Sequence, residues 1–270
     1  MRDETQSRLN RLAVLIDAEN ISADLLEPFL NEVAKYGTAH VKRIYGDWTN
    51  PQLLKWKSKL IDFAIQPIQQ FSYTSGKNAT DSALIIDAMD LLYSQNFDGF
   101  CIVSSDSDFT RLATRIREFG LLVYGFGERK TPQGFISACD KFVYIDILGR
   151  LEDGTSVYKL KGDFEKIGNT ANARDKITSI NTSAIERQAD EEQKIKIDTK
   201  LIKLLKKAYE DIAEEDEWLH LGPFGTQITK LSPSFDPRNY GYKKLSSLVQ
   251  ATGVFEIKKT PKTITIRLKA

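Results

Sequence analysis

The feature that most constrains this chain is an alternation of two hydrophobic periods through its first 150 residues. Short, almost wholly apolar runs alternate with segments of helical spacing. Runs 12–16, 40–45, 64–71, 99–103, 121–125 and 142–147 read as strands, and 64–71 is interrupted by Pro67. Segments 23–36, 52–61, 80–93, 109–119 and 134–139 read as helices. In 23–36 the apolar residues Leu25, Leu26, Phe29, Leu30 and Val33 fall on one helical face. Thr80 or Asp81 stands at the start of 80–93, and Gly120 closes 109–119. Strands that are apolar throughout are buried on both sides. Strands alternating with helices therefore predict an α/β fold, a parallel sheet with helices on both faces.

After about residue 150 the pattern dissolves into a stretch rich in Asn, Thr, Ser, Lys, Glu and Asp, which reads as a polar linker over 151–197. Periodicity returns from 199. Segments 201–212, 225–231 (stopped by Pro233) and 242–251 read as helices, and 254–257 and 263–268 as strands joined by a basic turn. Three helices and a hairpin describe a small α+β winged helix over 198–270.

Composition narrows the functional classes. The chain is 41% hydrophobic and 28% charged, which supports packed cores and excludes wholesale disorder. No apolar run approaches the roughly 20 residues of a membrane span. The polar start MRDETQSRLNR predicts no secretory signal. Two cysteines, Cys101 and Cys139, lie in apolar surroundings and read as reduced thiols of a cytoplasmic protein. Two distant histidines, His40 and His220, argue against a zinc site. The net charge of +1 conceals an asymmetry: residues 214–217 are all acidic. From Lys230 onward nine Lys/Arg face two acids, a local excess of +7 that suits an anionic partner as well as a solvated basic face.

Any chemistry lies in carboxylates at strand ends. Asp17 ends the first strand in LIDAEN, Asp106 and Asp108 follow another in VSSDSDF, and Asp81 begins a helix in KNATDSALIID. Ligands of open parallel sheets bind outside the carboxyl ends of the strands. Each acid has a local alternative: Asp17 a turn cap, Asp81 a first-turn acid, Asp108 the cap of the helix beginning at Phe109. Asp106 has none as simple. Four gathered carboxylates repel one another unless a cation joins them. Oxygen donors without nearby His or Cys select Mg²⁺ or Mn²⁺. Such a site activates water against a phosphoryl centre. Asp87, further along the same helix, reads as solvated or supporting, and Asp47 as a turn acid.

Polar neighbours are candidates for nucleic-acid contact: Asn20, Ser105 (with Ser104), Lys77, Arg129, Lys130, and Trp48 as a base-stacking ring. Capping, loop solvation and partial burial are their respective alternatives. In the C-terminal part Lys243, Lys244, Lys258, Lys259 and Lys262 suit phosphate contacts. Neither a GxGxxG fingerprint nor a P-loop is present.

LIDAENI, RIYGDW, GKNATDSALIIDAMDLLY, DGFCIVSSDSDFTRLATRIREFG and YGFGERKTP, in that order over residues 10–148, resemble the NYN domain of the LabA-like, PIN-like branch. LIKLLKKAYE, GPFGTQITKL, NYGYKKLSSLVQ and VFEIKK…ITIRL over about 198–269 resemble a LOTUS, or OST-HTH, domain. The first resemblance implies a PIN-like fold and a metal-dependent ribonuclease, with the metal on Asp17, Asp81, Asp106 and Asp108 and Asn20 nearby. Many members show KGVD where this chain has KNATD. The second implies association with RNA.

Three readings follow. The first is a Mg²⁺- or Mn²⁺-dependent ribonuclease in which the winged helix delivers single-stranded or structured RNA, with a homodimer left open. The second is an RNA-binding protein with a dormant nuclease site. The third is another Mg²⁺ phosphotransfer fold of the Toprim or haloacid-dehalogenase type; Glu19 with Asp106 and Asp108 mimics the former, whereas the latter wants Asp at position 19.

Overall fold

The structure is a computed structural model and describes residues 9–71, 79–148, 199–213, 218–261 and 263–269. The expected linker 151–197, Lys77, Lys262 and the acidic run 214–217 lie outside the described residues. The chain divides into two compact units, 1–148 and 149–270.

The first unit is built on a six-stranded sheet: β1 (Arg11–Asp17), β2 (Thr38–Gly46), β3 (Gln66–Gln69), β4 (Gly99–Val103), β5 (Leu122–Gly127) and β6 (Lys141–Tyr144). The order is β3-β2-β1-β4-β5-β6, every pairing parallel. Alternation along β1 explains the layers. Leu12, Val14 and Ile16 face one side with Cys101 and Val103 of β4. Ala13 and Leu15 face the other with Phe100 and Ile102. The first side is covered by α1 (Leu26–Val33) through Leu26, Phe29 and Val33, and by α2 (Trp56–Asp62) through Trp56 and Leu60. The second is covered by α3 (Ala79–Tyr93), α4 (Phe109–Glu118) and α5 (Gln133–Ala138) through residues such as Leu84, Phe109, Ile116 and Phe135. The α/β class with helices on both faces is thus as the hydrophobic pattern predicts.

Boundaries moved where local chemistry intervened. The predicted strand 64–71 shortens to four residues at the sheet edge, where Pro67 removes no ladder hydrogen bond the sheet requires. The predicted strand 142–147 ends at Tyr144 and turns into a 3₁₀ segment, Ile145–Ile147. The predicted helix 52–61 begins as a 3₁₀ turn, Pro51–Lys55, whose Asn50 cap accepts the Gln52 N–H.

The second unit contains α6 (Thr199–Glu210), β7 (Leu219–His220), α7 (Leu221–Leu231), α8 (Leu245–Thr252), β8 (Phe255–Lys259) and β9 (Ile264–Leu268). The three strands form an antiparallel sheet ordered β7-β9-β8. Leu201, Leu205, Phe224, Ile228, Leu248, Phe255 and Ile266 fill the core between helices and sheet. Helix α7 starts four residues before the predicted 225, because Gly222 and Pro223 occupy its first turn, where proline is tolerated. β7 was not foreseen, being too short to show alternation.

Candidate functional site

The strand order reverses direction on either side of β1 and β4, the position at which open parallel sheets form a crevice. Asp17 ends β1, and its pairing partner β4 ends at Val103, three residues before Asp106. Asp81 lies in the first turn of α3, and Asp108 directly precedes α4. Carboxylate oxygens of Asp81, Asp106 and Asp108 all lie within 4.8 Å of one another. The reversal at β1/β4 and two helix starts therefore converge three acids separated by up to 27 positions in the sequence.

Asp17 is buried, at 4% exposure, and its charge acts on Asp81. Its Oδ1 accepts the Glu19 N–H at 3.0 Å, and its Oδ2 accepts Asn20 Nδ2 at 2.6 Å and Ser104 Oγ at 3.3 Å. Burial raises its pKa; these hydrogen bonds oppose the rise. Asp17 is thus both a turn acid and a charge aimed at the crevice. Asp81 is pushed up to about 6, first by burial, then by the charges of Asp17, Asp106, Asp108 and Glu19.

Local bonds hold these loops. Asp106 Oδ1 accepts the Asp108 N–H at 2.9 Å, so Asp106 too has a local turn role. Asp108 occupies the cap position of α4 without a side-chain cap bond, so the capping alternative does not hold. Asn20 bridges the two strand-end loops: it donates to Asp17 and accepts the Ser105 N–H at 2.9 Å. Its capping alternative fails as well, since Ser22 caps the following turn. Ser105 is buried and its hydroxyl accepts the Glu128 N–H at 2.9 Å, so it braces the β5 end. The same end needs Gly127: a Cβ there would lie 2.6 Å from the Ser104 carbonyl oxygen and 2.7 Å from Thr131 Oγ1.

A second network seats α3 on the sheet. Asp87 accepts Arg43 Nη1 at 2.6 Å and the hydroxyl of fully buried Tyr45 at 2.5 Å. Asp87 lies six residues beyond Asp81 on the same helix, so this pin fastens the helix that carries Asp81. Asp87 is therefore a supporting acid rather than a solvated one. Asp47 accepts from Thr49 and Gln69, the turn role expected of it.

The remaining candidates are distributed. Trp48 donates its indole N–H to the Ile68 carbonyl at 3.0 Å and packs against the core, so it anchors β2 to β3. Arg129 pairs with Asp146 at 3.0 Å and lies over the Tyr144 ring, and Lys130 pairs with Glu128 at 2.8 Å; both basic side chains remain largely exposed. Lys243 and Lys244 are exposed at the start of α8, Lys259 is exposed in the hairpin, and Lys258 lies over the Trp218 ring. Two participants were under-read in the sequence: Glu19, which adds charge to Asp81, and Ser104, which links Asp17 to the Asp106 N–H. Their signal was adjacency to Asp17 and Asp106.

The donor set fits a hard divalent cation. All donors are carboxylate oxygens, and the raised Asp81 pKa registers negative charge that a cation would relieve. Two oxygens sharing one Mg²⁺ at about 2.1 Å lie no more than about 4.2 Å apart. The three carboxylates, within 4.8 Å of one another, would have to draw closer to share one ion.

Residues 11–146 match the family model of the NYN domain, and residues 192–266 that of the OST-HTH/LOTUS domain. A crystal structure of a protein of unknown function from Vibrio parahaemolyticus aligns with 53% of this chain and 96% of its own, at 21% identity and a TM-score of 0.45. The solution structure of an uncharacterized protein from Nitrosomonas europaea aligns with 25% of this chain and 71% of its own, at 39% identity and a TM-score of 0.23. No curated protein matches the chain.

Proposed function

The chain belongs to the NYN domain family, and from that premise we propose that it is a Mg²⁺- or Mn²⁺-dependent ribonuclease whose C-terminal OST-HTH/LOTUS domain delivers RNA. NYN domains belong to a nuclease superfamily, and OST-HTH/LOTUS domains point to RNA. The observation that carries the proposal is the convergence of Asp81, Asp106 and Asp108 within 4.8 Å at the sheet's crevice.

In this reading Asp81, Asp106 and Asp108 hold the cation, and Asp17 completes the acidic set. A cation held there would lower the pKa of water and offset charge developing on the phosphoryl oxygens. The protein's own residues do the rest. Asn20 and Ser104 fix the Asp17 carboxylate, and the Asp106 turn presents Asp108. One of these four carboxylates also orients or deprotonates the attacking water. Exposed Arg129 and Lys130, after the end of β5, supply phosphate contacts; Lys77 keeps that role as an expectation from the sequence alone. We place the protein in the cytoplasm, in keeping with its two buried free thiols. No helix among the described residues is long and apolar enough to cross a membrane.

The test is cleavage of end-labelled single-stranded RNA by the purified chain with Mn²⁺, with Mg²⁺ and with EDTA, beside Asp106→Asn. Metal-dependent cleavage lost in the variant is expected. Equal cleavage by both proteins, or RNA binding without cleavage in either metal, refutes the nuclease reading; the latter result favours an RNA-binding protein with a dormant site.

A further inference from the structure

The outer face of the C-terminal sheet carries a feature that core formation does not explain. Leu219, Phe255 and Ile266 point into the core, and Leu219 pairs with Ile266. By strand alternation the opposite face presents His220, Thr265, Arg267, Glu256 and Lys258, which the register also places side by side: His220 and Lys258 both pair with Thr265, and Glu256 pairs with Arg267. Trp218, immediately before β7, joins this outer group. It is only half-buried and is not among the residues filling the winged-helix core. The Lys258 ammonium lies 3.9 Å from its ring centroid and the Arg267 guanidinium 5.0 Å. Arg267 is in turn held by Glu256 at 2.8 Å.

Tryptophan is rarely fully buried, and a single half-buried ring is ordinary; what sets Trp218 apart is the pair of cations against it. Two cations against the ring order it and bring positive charge to it, beside Glu256 and next in sequence to the acidic run 214–217. Exposed Lys259 and Lys269 add to the excess of base on this segment. A ring of fixed orientation among cations is the pairing that unpaired nucleotides engage, since bases stack on aromatic or guanidinium planes while ammonium groups meet phosphates. Paired bases in a duplex offer no free face to such a ring.

We propose that Trp218, Lys258 and Arg267 form a stacking face for single-stranded RNA, so that the C-terminal domain selects unpaired strands. The proposal rests on the RNA-directed reading above and narrows it from RNA in general to single strands. The lysines at the start of α8 are then secondary contacts.

The experiment measures fluorescence anisotropy of a labelled 12-nucleotide single strand and of its duplex. It is run in EDTA with the full chain, Trp218→Ala, Trp218→Phe and Lys258→Gln, with circular dichroism checking each fold. The wild type should favour the single strand, Trp218→Ala should lose on the order of tenfold in affinity, and Trp218→Phe should retain most of it. Lys258→Gln should lower the slope of log affinity against log salt by about 0.7. Unchanged affinity in a folded Trp218→Ala, or a preference for duplex, overturns the proposal. If Trp218→Ala does not fold, Trp218→Phe and Lys258→Gln decide: an unchanged salt slope in the latter overturns it. Cleavage is scored separately with Mn²⁺. A wild type that binds through this face but never cleaves leaves the face standing and removes the nuclease reading. A wild type that cleaves, with affinity indifferent to Trp218, does the reverse.

Discussion

Replacing Asp81 with Asn should stabilise the metal-free protein. Asp81 is raised from 3.8 to about 6 by burial and by the charges of Asp17, Asp106, Asp108 and Glu19. A folded pKa above the unfolded one means that, between these values, the folded protein holds a proton the unfolded chain has released. Stability therefore falls as pH rises from about 4 to about 6 and stays low above it. The gap of about two pH units sets a ceiling of about 3 kcal/mol on the strain at neutral pH. Asp81 is only half-buried, so water screens much of this, and about 1 kcal/mol is the expected gain from Asp81→Asn. That corresponds to about 3 °C in the unfolding midpoint of a domain this size. Calorimetry of the full chain in EDTA at pH 7.5 and at pH 4 measures it, following the NYN-domain transition. At pH 4 the gain should nearly vanish, because Asp81 is then protonated in the folded wild type. Adding Mg²⁺ at tenfold its Kd should stabilise the wild type by about 1.4 kcal/mol and the variant by clearly less. An Asn variant no more stable than wild type at pH 7.5, or equally favoured at pH 4, would falsify the account of the site as mutually repelling carboxylates.

Other perturbations separate support from chemistry. Asp87→Ala strands the buried Tyr45 hydroxyl and the Arg43 guanidinium, and should cost about 1–3 kcal/mol in urea unfolding while also weakening metal affinity through α3; unchanged metal affinity in isothermal titration would show that the pin does not reach Asp81. Gly127→Ala drives a Cβ to 2.6 Å from the Ser104 carbonyl oxygen. It should destabilise the domain by about 1–3 kcal/mol and slow cleavage by displacing the loop that carries Asp106; wild-type rates would rule out that coupling. Asn20→Ala removes the bridge between the two strand-end loops and should lower turnover more than substrate affinity, a split that steady-state kinetics on an RNA oligonucleotide resolves.

Much of the first unit was legible because its strands are apolar on both faces and its helices periodic. The carboxylates at the ends of β1 and β4 were legible because parallel topology sends strand ends to one edge. What escaped prediction depends on partners distant in sequence. Nothing near Asp87 announces that Arg43 and Tyr45, over 40 residues earlier, will claim it. Partial burial was one reading of Trp48 and is the one found, but nothing near it names Ile68, 20 residues on, as the partner of its indole N–H. Asp106 looked dedicated to chemistry, whereas its Oδ1 also closes a turn onto Asp108. Trp218 gave no signal at all: a two-residue strand has no period, and its facing is set by β9, over 40 residues later.

The acids reach the crevice from two kinds of support. Asp17, Asp106 and Asp108 are borne on strand-end loops clipped together by Asn20 and Ser104, whereas Asp81 is carried by a helix fastened to β2 through Asp87. Inheritance can therefore act on them separately. Changes along the α3–β2 seam retune how tightly the fourth acid closes on the others and leave the clipped trio alone. In a library scored for activity, Arg43 and Tyr45 would sort with the carboxylates although neither meets a substrate. Second-site revertants of a weakened Asp81 would gather on that seam rather than in the crevice.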